Sequence, residues 1–248
     1  MRSIDRSAQT NRWRHHAASE KVLLALGLMV ISLSIHNLGA QVILLILASV
    51  LTMAVAKVSP RDVLAAGLVP LGFILTGTAA QLLVLDFSGS RSWLSLAGPE
   101  GFRAAAFVAA RSLACVSALL LLALTTPLAS ILQLLQRIGL NADLSDIAMI
   151  MIRMIWLTLD CLETGHRSIV SRLGHARMGR MLRSNAMLGA SLLPRVMSRA
   201  GRMEIGLAAR GYDGHLRFLS AERRSTWPRL ALILGGLLLL AVLLGTLP

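Results

Sequence analysis

The stretch LALILGGLLLLAVLLG at residues 230–245 holds no charged side chain over sixteen consecutive positions. A comparable run, VLLALGLMVISLSI, stands at residues 22–35, and apolar residues make up 55% of the 248-residue chain. A helix of about 20 apolar residues crosses the hydrocarbon core of a bilayer. The short alternating segments that are typical of a membrane β-barrel are absent from the sequence. The sequence therefore predicts an all-α, polytopic membrane protein.

The apolar segments predict about five transmembrane helices. As one helix, residues 22–56 would be about 50 Å long, which exceeds a hydrocarbon core of about 30 Å. They must therefore turn, and His36–Gly39 is the natural break. Thr125–Pro127 ends the fourth span. Beyond the first pair, spans are expected at 63–85, 104–124 and 230–247.

Positive charge is distributed unevenly along the chain. The net charge is +13, and 23 of the 25 basic residues are arginine. The N-terminal tail, the turn at 57–61 and the segment 128–229 are basic, whereas the loop at 86–103 is neutral. Because Lys and Arg collect in cytoplasmic loops, we expect the N-terminus in the cytoplasm of a bacterial cell and the C-terminus outside. This orientation, with only 4% aromatic residues for base stacking, argues against nucleic-acid binding.

These assignments divide the chain into four parts. We expect a cytoplasmic tail at 1–21, four transmembrane helices at 22–126, a cytoplasmic helical region at 127–229 and a last transmembrane helix at 230–248. The tail is too long and too polar for the first part of an ordinary signal peptide, so we interpret it as retained.

The second half of the region 127–229 predicts an amphipathic helix over Pro194–Ala209. Pro194 suits a first helical turn, and Gly211 suits a left-handed cap at the C-terminal end. Helical periodicity places four arginines near one face beside an apolar stripe: Arg195, Arg199, Arg202 and Arg210.

An earlier helix is expected over 147–183, with a break near Gly174. Its first part, 147–159, is apolar but short and holds Arg153 at its middle, so we favour an interfacial helix over a sixth span. Each predicted helix carries an Ala-Arg pair toward an end, namely Ala176–Arg177 and Ala209–Arg210. A solvated basic face that is attracted to anionic headgroups is the alternative explanation for these arginines.

Residues for catalysis or metal binding are not evident. The only lysines, Lys21 and Lys57, do not belong to a phosphate-binding loop, so the chain cannot bind ATP in that manner. The expected spans hold no carboxylate, which argues against a self-sufficient ion-coupled transporter and against an intramembrane enzyme. His15–His16 is the only close histidine pair, and Cys115 and Cys161 show neither disulfide nor metal spacing. We therefore expect a non-catalytic subunit without a cofactor.

The run RMEIGLAARGYDGHLR at residues 202–217 resembles the signature of the transmembrane T component of energy-coupling factor importers, and it is most similar to the CbiQ type of the cobalt importer. That family carries two Ala-Arg-Gly motifs on cytoplasmic coupling helices. The second motif matches at Ala209, Arg210 and Gly211, with supporting positions at Arg202, Glu204, Tyr212 and Arg217. The first motif aligns best with Ala176, Arg177 and Met178, where methionine replaces glycine.

The resemblance implies a coupling mechanism with several partners. Two ABC-type ATPase subunits bind in the cytoplasm, and each receives the arginine of one coupling-helix end. Their ATP-driven motion reaches a substrate-binding membrane S component, which is CbiM-like, and a small accessory membrane subunit is a further partner. The T component itself binds no substrate and hydrolyses nothing. By the same resemblance, Glu204 orients a neighbouring arginine such as Arg202, with a simple solvated ion pair as the alternative.

Three alternatives remain open at the level of sequence. Nickel is the alternative to cobalt as the substrate, because nickel importers use very similar T components. A membrane-anchored interaction protein with a polybasic lipid-binding region belongs to a different class. A metal permease that works without an ATPase is the third.

Overall fold

The computed structural model describes Ala8, Asn11, Trp13 and residues 16–84, 95–96, 98–139, 141–174, 177–212 and 226–246. Within these residues the chain is helical apart from its turns and a two-residue antiparallel ladder between β1 (Leu83–Val84) and β2 (Ser95–Leu96). The helices are α1 (Ala18–Ser34), α2 (Leu38–Val50, continued by a π-helical turn at Leu51–Val55), α3 (Pro60–Leu82), α4 (Pro99–Thr125), α5 (Leu128–Ile138), α6 (Ala142–Ser171), α7 (Met178–Ala208) and α8 (Trp227–Gly245). The predicted all-α class is confirmed.

The helices of membrane-crossing length agree with the predicted spans. Four helices in the described part of the chain are long and apolar enough: 38–55, α3, α4 and α8. The first predicted span falls in α1, whose 17 residues are about 26 Å long and stand at the lower limit for crossing a bilayer. The stretch 147–159 belongs to the 30-residue α6, which is not among the four. The chain is thus a multi-pass helical membrane protein.

The described residues separate into two compact units, 1–131 with 220–248, and 132–219. In the first unit, α1, α2, α4 and α8 pack around a core that is rich in alanine, including Ala40, Ala48, Ala114 and Ala118. Small residues let helix backbones approach closely, which favours packing in lipid. Gly27 is an example, because a Cβ at this position would lie 2.4 Å from the Leu237 side chain of α8.

The turn between α1 and α2 is held by a buried glutamine. Gln41 Nε2 donates to the carbonyl oxygens of Ser32 (2.8 Å) and Ile35 (2.9 Å), and Gln41 Oε1 accepts from Ser32 Oγ (2.6 Å). Asn37 begins α2 by accepting a hydrogen bond from the backbone N–H of Gly39. The predicted break at His36–Gly39 is therefore confirmed, and the glutamine satisfies carbonyls that the end of α1 leaves free.

The end of α4 is fixed by the N-terminal part of the chain. Lys21 Nζ donates to the carbonyl oxygen of Thr125 (3.0 Å), and Asn11 Nδ2 donates to the carbonyl oxygens of Leu124 (3.1 Å) and Thr125 (3.2 Å). Lys21 is buried, with only 3% of its surface exposed. A cation at a helix C-terminus is favoured by the helix dipole. These bonds hold the turn at Thr126–Pro127, where the fourth span ends as predicted.

The second unit contains an antiparallel hairpin of α6 and α7. A Cβ at Gly174 would lie 3.2 Å from Ser184 Oγ, and one at Gly165 would lie 2.3 Å from Leu188 Cδ1. Further along, Arg199 Nη1 donates to Cys161 Sγ (3.4 Å). The contact positions rise in α7 from 184 to 199 as they fall from 174, just past the end of α6, to 161 within it, so the two helices run in opposite directions.

The predicted boundaries of these two helices were wrong in two respects. The first helix does not continue to Arg183 but ends at Ser171, although the predicted break near Gly174 is confirmed. Pro194 does not begin the second helix but lies inside α7, which starts at Met178. A proline inside a helix removes one hydrogen bond, crowds the preceding turn and costs about 3 kcal/mol, and the contacts of α7 with α6 on both sides of Pro194 offset that cost.

The buried glutamine gives a test of the first unit. We expect Gln41→Met to lower the free energy of unfolding in detergent micelles by about 1–3 kcal/mol, because the side chain keeps its length while two carbonyl groups lose their donor. The matched control is Gln81→Met on α3, where the glutamine is exposed; we expect a change within about 0.5 kcal/mol. An SDS-induced unfolding titration measures both, and equal stability of the two variants would contradict the assignment.

Candidate functional site

The end of α7 is closed by two backbone hydrogen bonds. The N–H of Tyr212 donates to the carbonyl of Leu207 (3.1 Å), and the N–H of Gly211 donates to the carbonyl of Ala208 (3.1 Å). Gly211 has φ +73°, in the left-handed region that favours glycine. This pattern is the Schellman motif, which satisfies the last carbonyls of a helix without help from another element. The predicted glycine cap is confirmed.

Arg210 is the last residue before this left-handed glycine, and it is exposed. Its guanidinium forms no hydrogen bond or ion pair with the other described residues. Tyr212, two residues after Arg210, is 39% exposed, and Ile205, five residues before it, is 72% exposed. Arginine next to aromatic and aliphatic side chains is the composition that is enriched at the centres of protein interfaces.

The supporting residues on α7 have other neighbours than expected. Arg202 Nη1 donates to Ser198 Oγ (2.6 Å), one turn back on the same helix. Within the described residues no salt bridge joins Glu204 to an arginine, so the structure gives Glu204 no orienting role. An open groove of about 430 Å³ lies between α6 and α7 and is lined by Asp160, Cys161, Thr164, Arg195, Ser198, Arg199 and Arg202.

Arg177, the arginine of the first Ala-Arg pair, lies at a helix start. Arg177 is the N-cap of α7, with extended backbone angles (φ −141°, ψ 148°), and its side chain makes no capping hydrogen bond. Met178 is the first residue of α7 and is 74% exposed. The pair was expected near the end of a helix, but α6 ends before it because Leu173 leaves the helical conformation. Ala176 and Arg217 lie outside the described residues.

The end of α6 has a feature that sequence reasoning missed. The N–H of Gly174 donates to the carbonyl of Ile169 (2.9 Å), and the N–H of Leu173 donates to the carbonyl of Val170 (3.1 Å). Leu173 takes the left-handed position with φ +57°. This is again the Schellman motif. The signal in the sequence was Gly174 itself, because a glycine that follows an amphipathic helix marks a C-terminal end.

Across the described residues, no three His, Cys, Asp or Glu side chains come together as a possible metal site. Together, the membrane-crossing helices and the long, basic helical hairpin define the class: a multi-pass helical membrane protein with an amphipathic hairpin that carries exposed arginines at its helix ends.

Comparison with known proteins gives the family. The family model of the cobalt transport protein CbiQ matches residues 10–220. The chain is 36% identical to the cobalt transport protein CbiQ of Rhodobacter capsulatus over 235 residues, which cover 94% of this chain and 93% of that relative. It is 27% identical to CbiQ of Salmonella typhimurium, over 86% of this chain and 98% of the relative. The chain therefore belongs to the CbiQ family of cobalt transport proteins and is a membrane component of a transporter, which confirms the resemblance to a CbiQ-type T component.

A third relative extends the comparison. The putative fused cobalt transport protein CbiMQ of Methanocorpusculum labreanum is 28% identical over 181 residues. These residues cover 70% of this chain but only 30% of that longer relative. The part of the fused protein that resembles this chain is therefore joined to other sequence in one polypeptide.

The left-handed cap gives a test of the helix end. In Gly211→Ala, the added Cβ meets nothing within 4 Å, so only the left-handed conformation opposes it. We expect a local loss of about 1 kcal/mol, and hence about fivefold faster amide hydrogen exchange at residues 209–212. The control is Gly206→Ala in the same helix, which has equally open space and should slow exchange because alanine favours helix. Unchanged exchange in Gly211→Ala would contradict the cap.

Proposed function

We propose that this chain is the transmembrane coupling subunit of an ATP-driven importer of the energy-coupling factor type, with cobalt ions as the transported substrate. The observation that carries the proposal is the end of α7, where Arg210 is exposed and sits on a self-satisfied helix cap. When a protein that binds a side chain at the end of a 31-residue helix moves, the side chain transmits that movement to the helix. Such an end is suited to receive motion from another protein.

The partners that supply this motion are two ABC-type ATPase subunits in the cytoplasm. The chain has no phosphate-binding loop of its own, so ATP hydrolysis falls to these subunits. The guanidinium of Arg210 offers five donors in a fixed fork, which matches carboxylates and backbone carbonyls in a groove. One ATPase receives Arg210 with Ala209 and Gly211. By family resemblance, the other contact falls at Ala176, Arg177 and Met178.

The substrate reaches this subunit's complex through another membrane protein. The name of the fused CbiMQ relative supports a CbiM-like partner as the substrate-binding S component. The names of the R. capsulatus and S. typhimurium relatives support cobalt over nickel. A small accessory membrane subunit completes the complex. With the basic regions in the cytoplasm of a bacterial cell, the N-terminal tail lies on the side of the ATPases.

Arg210 gives the decisive test of coupling. We expect Arg210→Ala to reduce ATP-driven cobalt uptake by the full complex at least about tenfold, as for an interface arginine that contributes strongly to binding. Arg210→Lys should also impair uptake, because lysine keeps the charge but loses the fork. The measurement is uptake of radioactive cobalt by cells that express the whole complex, normalised to the amount of this subunit in the membrane.

The matched control is Arg183→Ala, an exposed arginine within the same helix. We expect it to keep uptake within about twofold of the wild type, since surface positions away from a contact contribute little. Wild-type uptake by Arg210→Ala would overturn the proposal. If Arg210→Lys keeps uptake while Arg210→Ala and Arg183→Ala lower it to the same extent, only the total charge matters, and the polybasic lipid-binding alternative is favoured instead.

The substrate assignment has its own test. We expect the CbiM-like partner, purified together with this chain, to carry cobalt when cells grow with equal cobalt and nickel, and metal analysis of the complex decides it. Nickel in place of cobalt would correct the substrate and leave the coupling role intact. Uptake by proteoliposomes that contain this chain without ATPases would instead support a stand-alone permease.

A further inference from the structure

The two helices of the hairpin end in the same way. In α7 the bonds run from Tyr212 to Leu207 and from Gly211 to Ala208; in α6 they run from Gly174 to Ile169 and from Leu173 to Val170. The residue before the left-handed position is an arginine in both helices, Arg210 in α7 and Arg172 in α6. A small residue precedes each arginine, Ala209 and Ser171. Ser171–Arg172–Leu173 is therefore the geometric counterpart of Ala209–Arg210–Gly211.

Leu173 is the position where the two ends differ. A leucine with φ +57° is unusual, because left-handed conformations crowd the Cβ of any residue other than glycine. Its side chain is also 71% exposed, so packing within the described residues does not explain it. Backbone strain that persists on an exposed apolar residue points to a use outside the chain. The end of α6 thus presents an arginine with an exposed apolar side chain next to it in sequence, and at the end of α7 the partly exposed Tyr212 lies two residues after Arg210.

Arg177 does not share this environment. It precedes α7 in an extended conformation, at the end of the helix where the dipole is positive and disfavours a cation. Arg172 lies at the C-terminal end of α6, where the dipole favours a cation. It is exposed and, within the described residues, its guanidinium has no hydrogen-bond or ion-pair partner. In local geometry Arg172, and not Arg177, matches Arg210.

The antiparallel hairpin places these two ends far apart. Because α6 and α7 run in opposite directions, Arg172 and Arg210 stand at opposite ends of a hairpin about 45 Å long, from 31 residues at 1.5 Å each. That separation is the size of a small domain or more. Two like ends on opposite sides are suited to two copies of one kind of partner, each binding an arginine with an apolar neighbour.

We propose that Arg172, with Leu173 beside it, is the second ATPase contact of this chain, in the place that sequence resemblance gives to Arg177. The proposal rests on the proposed coupling function and names the partner surface of that same function. The groove that receives Arg172 offers carboxylate or carbonyl acceptors and an apolar wall for Leu173. Leucine stands where the other end has Gly211 because its side chain is part of the contact.

The first experiment compares the three arginines in the complete complex. We expect Arg172→Ala and Arg172→Lys each to reduce ATP-driven cobalt uptake at least about tenfold, as for Arg210→Ala, while Arg177→Ala stays within about twofold of the wild type. Uptake is normalised to the subunit in the membrane. Loss of uptake in Arg177→Ala with retention in Arg172→Ala would overturn the inference alone. Wild-type uptake in both single variants, Arg172→Ala and Arg210→Ala, would overturn the coupling function as well.

The second experiment has a readout besides uptake. In a background that lacks Cys115 and Cys161, single cysteines replace Arg172, Arg177 or Arg210 and carry a photoreactive maleimide. We expect cross-links to the ATPase subunits from positions 172 and 210, several times stronger than from position 177. Leu173→Gly should slow amide exchange at residues 170–174, since the strain is relieved, while it weakens co-purification of the ATPases. Unchanged co-purification in Leu173→Gly, or cross-linking from position 177 alone, would contradict the proposal.

Discussion

The carbonyl groups in the last turn of each helix are the constraint on which this structure depends. A helix leaves four of them without an intrahelical partner, and in a membrane no water replaces the missing donors. At the end of α1 the donors are Gln41 from α2 and the guanidinium of Arg111 from α4, which bonds to the carbonyl of Leu33. At the end of α4 they are Lys21 and Asn11. In the first unit, the ends of α1 and α4 are therefore completed by side chains of other elements.

In the hairpin of the second unit, the carbonyl groups in the last turns of the helices are satisfied in a different way. Both α6 and α7 close their last turns with their own backbone, through the N–H groups of Gly174 and Tyr212. An end that needs no donor from a neighbour is free to stand out from the rest of the fold. The arginines at these ends, Arg172 and Arg210, are not consumed in capping and keep their donors for another molecule. At the ends of α1 and α4 the hydrogen-bond donors come from other elements, which hold the fold together. At the ends of α6 and α7 they come from the backbone of the helix itself, which leaves these ends suited to contact another molecule.

Much of the fold was predictable because it follows from patterns with a single cause. Apolar length set the spans, the polar His36–Gly39 set the first turn, and Gly211 set the end of α7. The start of α7 at Met178 and the position of Pro194 inside this helix were not predictable. The packing of α7 against α6 outweighed the preference of proline for a first helical turn. The break near Gly174 was predicted, but the left-handed conformation at Leu173 was missed because sequence rules reserve it for glycine. Resemblance placed the first motif at Ala176–Met178, and the described part of this stretch, Arg177 and Met178, forms the start of α7 and not the end of a helix.

The packing of the hairpin differs between its two halves. Near the turn, Gly165 and Gly174 let α7 approach so closely that a methyl group at either glycine would collide with a side chain. Beyond Pro194, Arg199 Nη1 still donates to Cys161 Sγ across the hairpin (3.4 Å), and these two residues also line the open groove. Pro194 removes one backbone hydrogen bond from α7 at this boundary. Arg172 is therefore held at the tightly packed end of the hairpin, whereas Arg210 lies at the opposite end, where the backbone of α7 closes its own last turn.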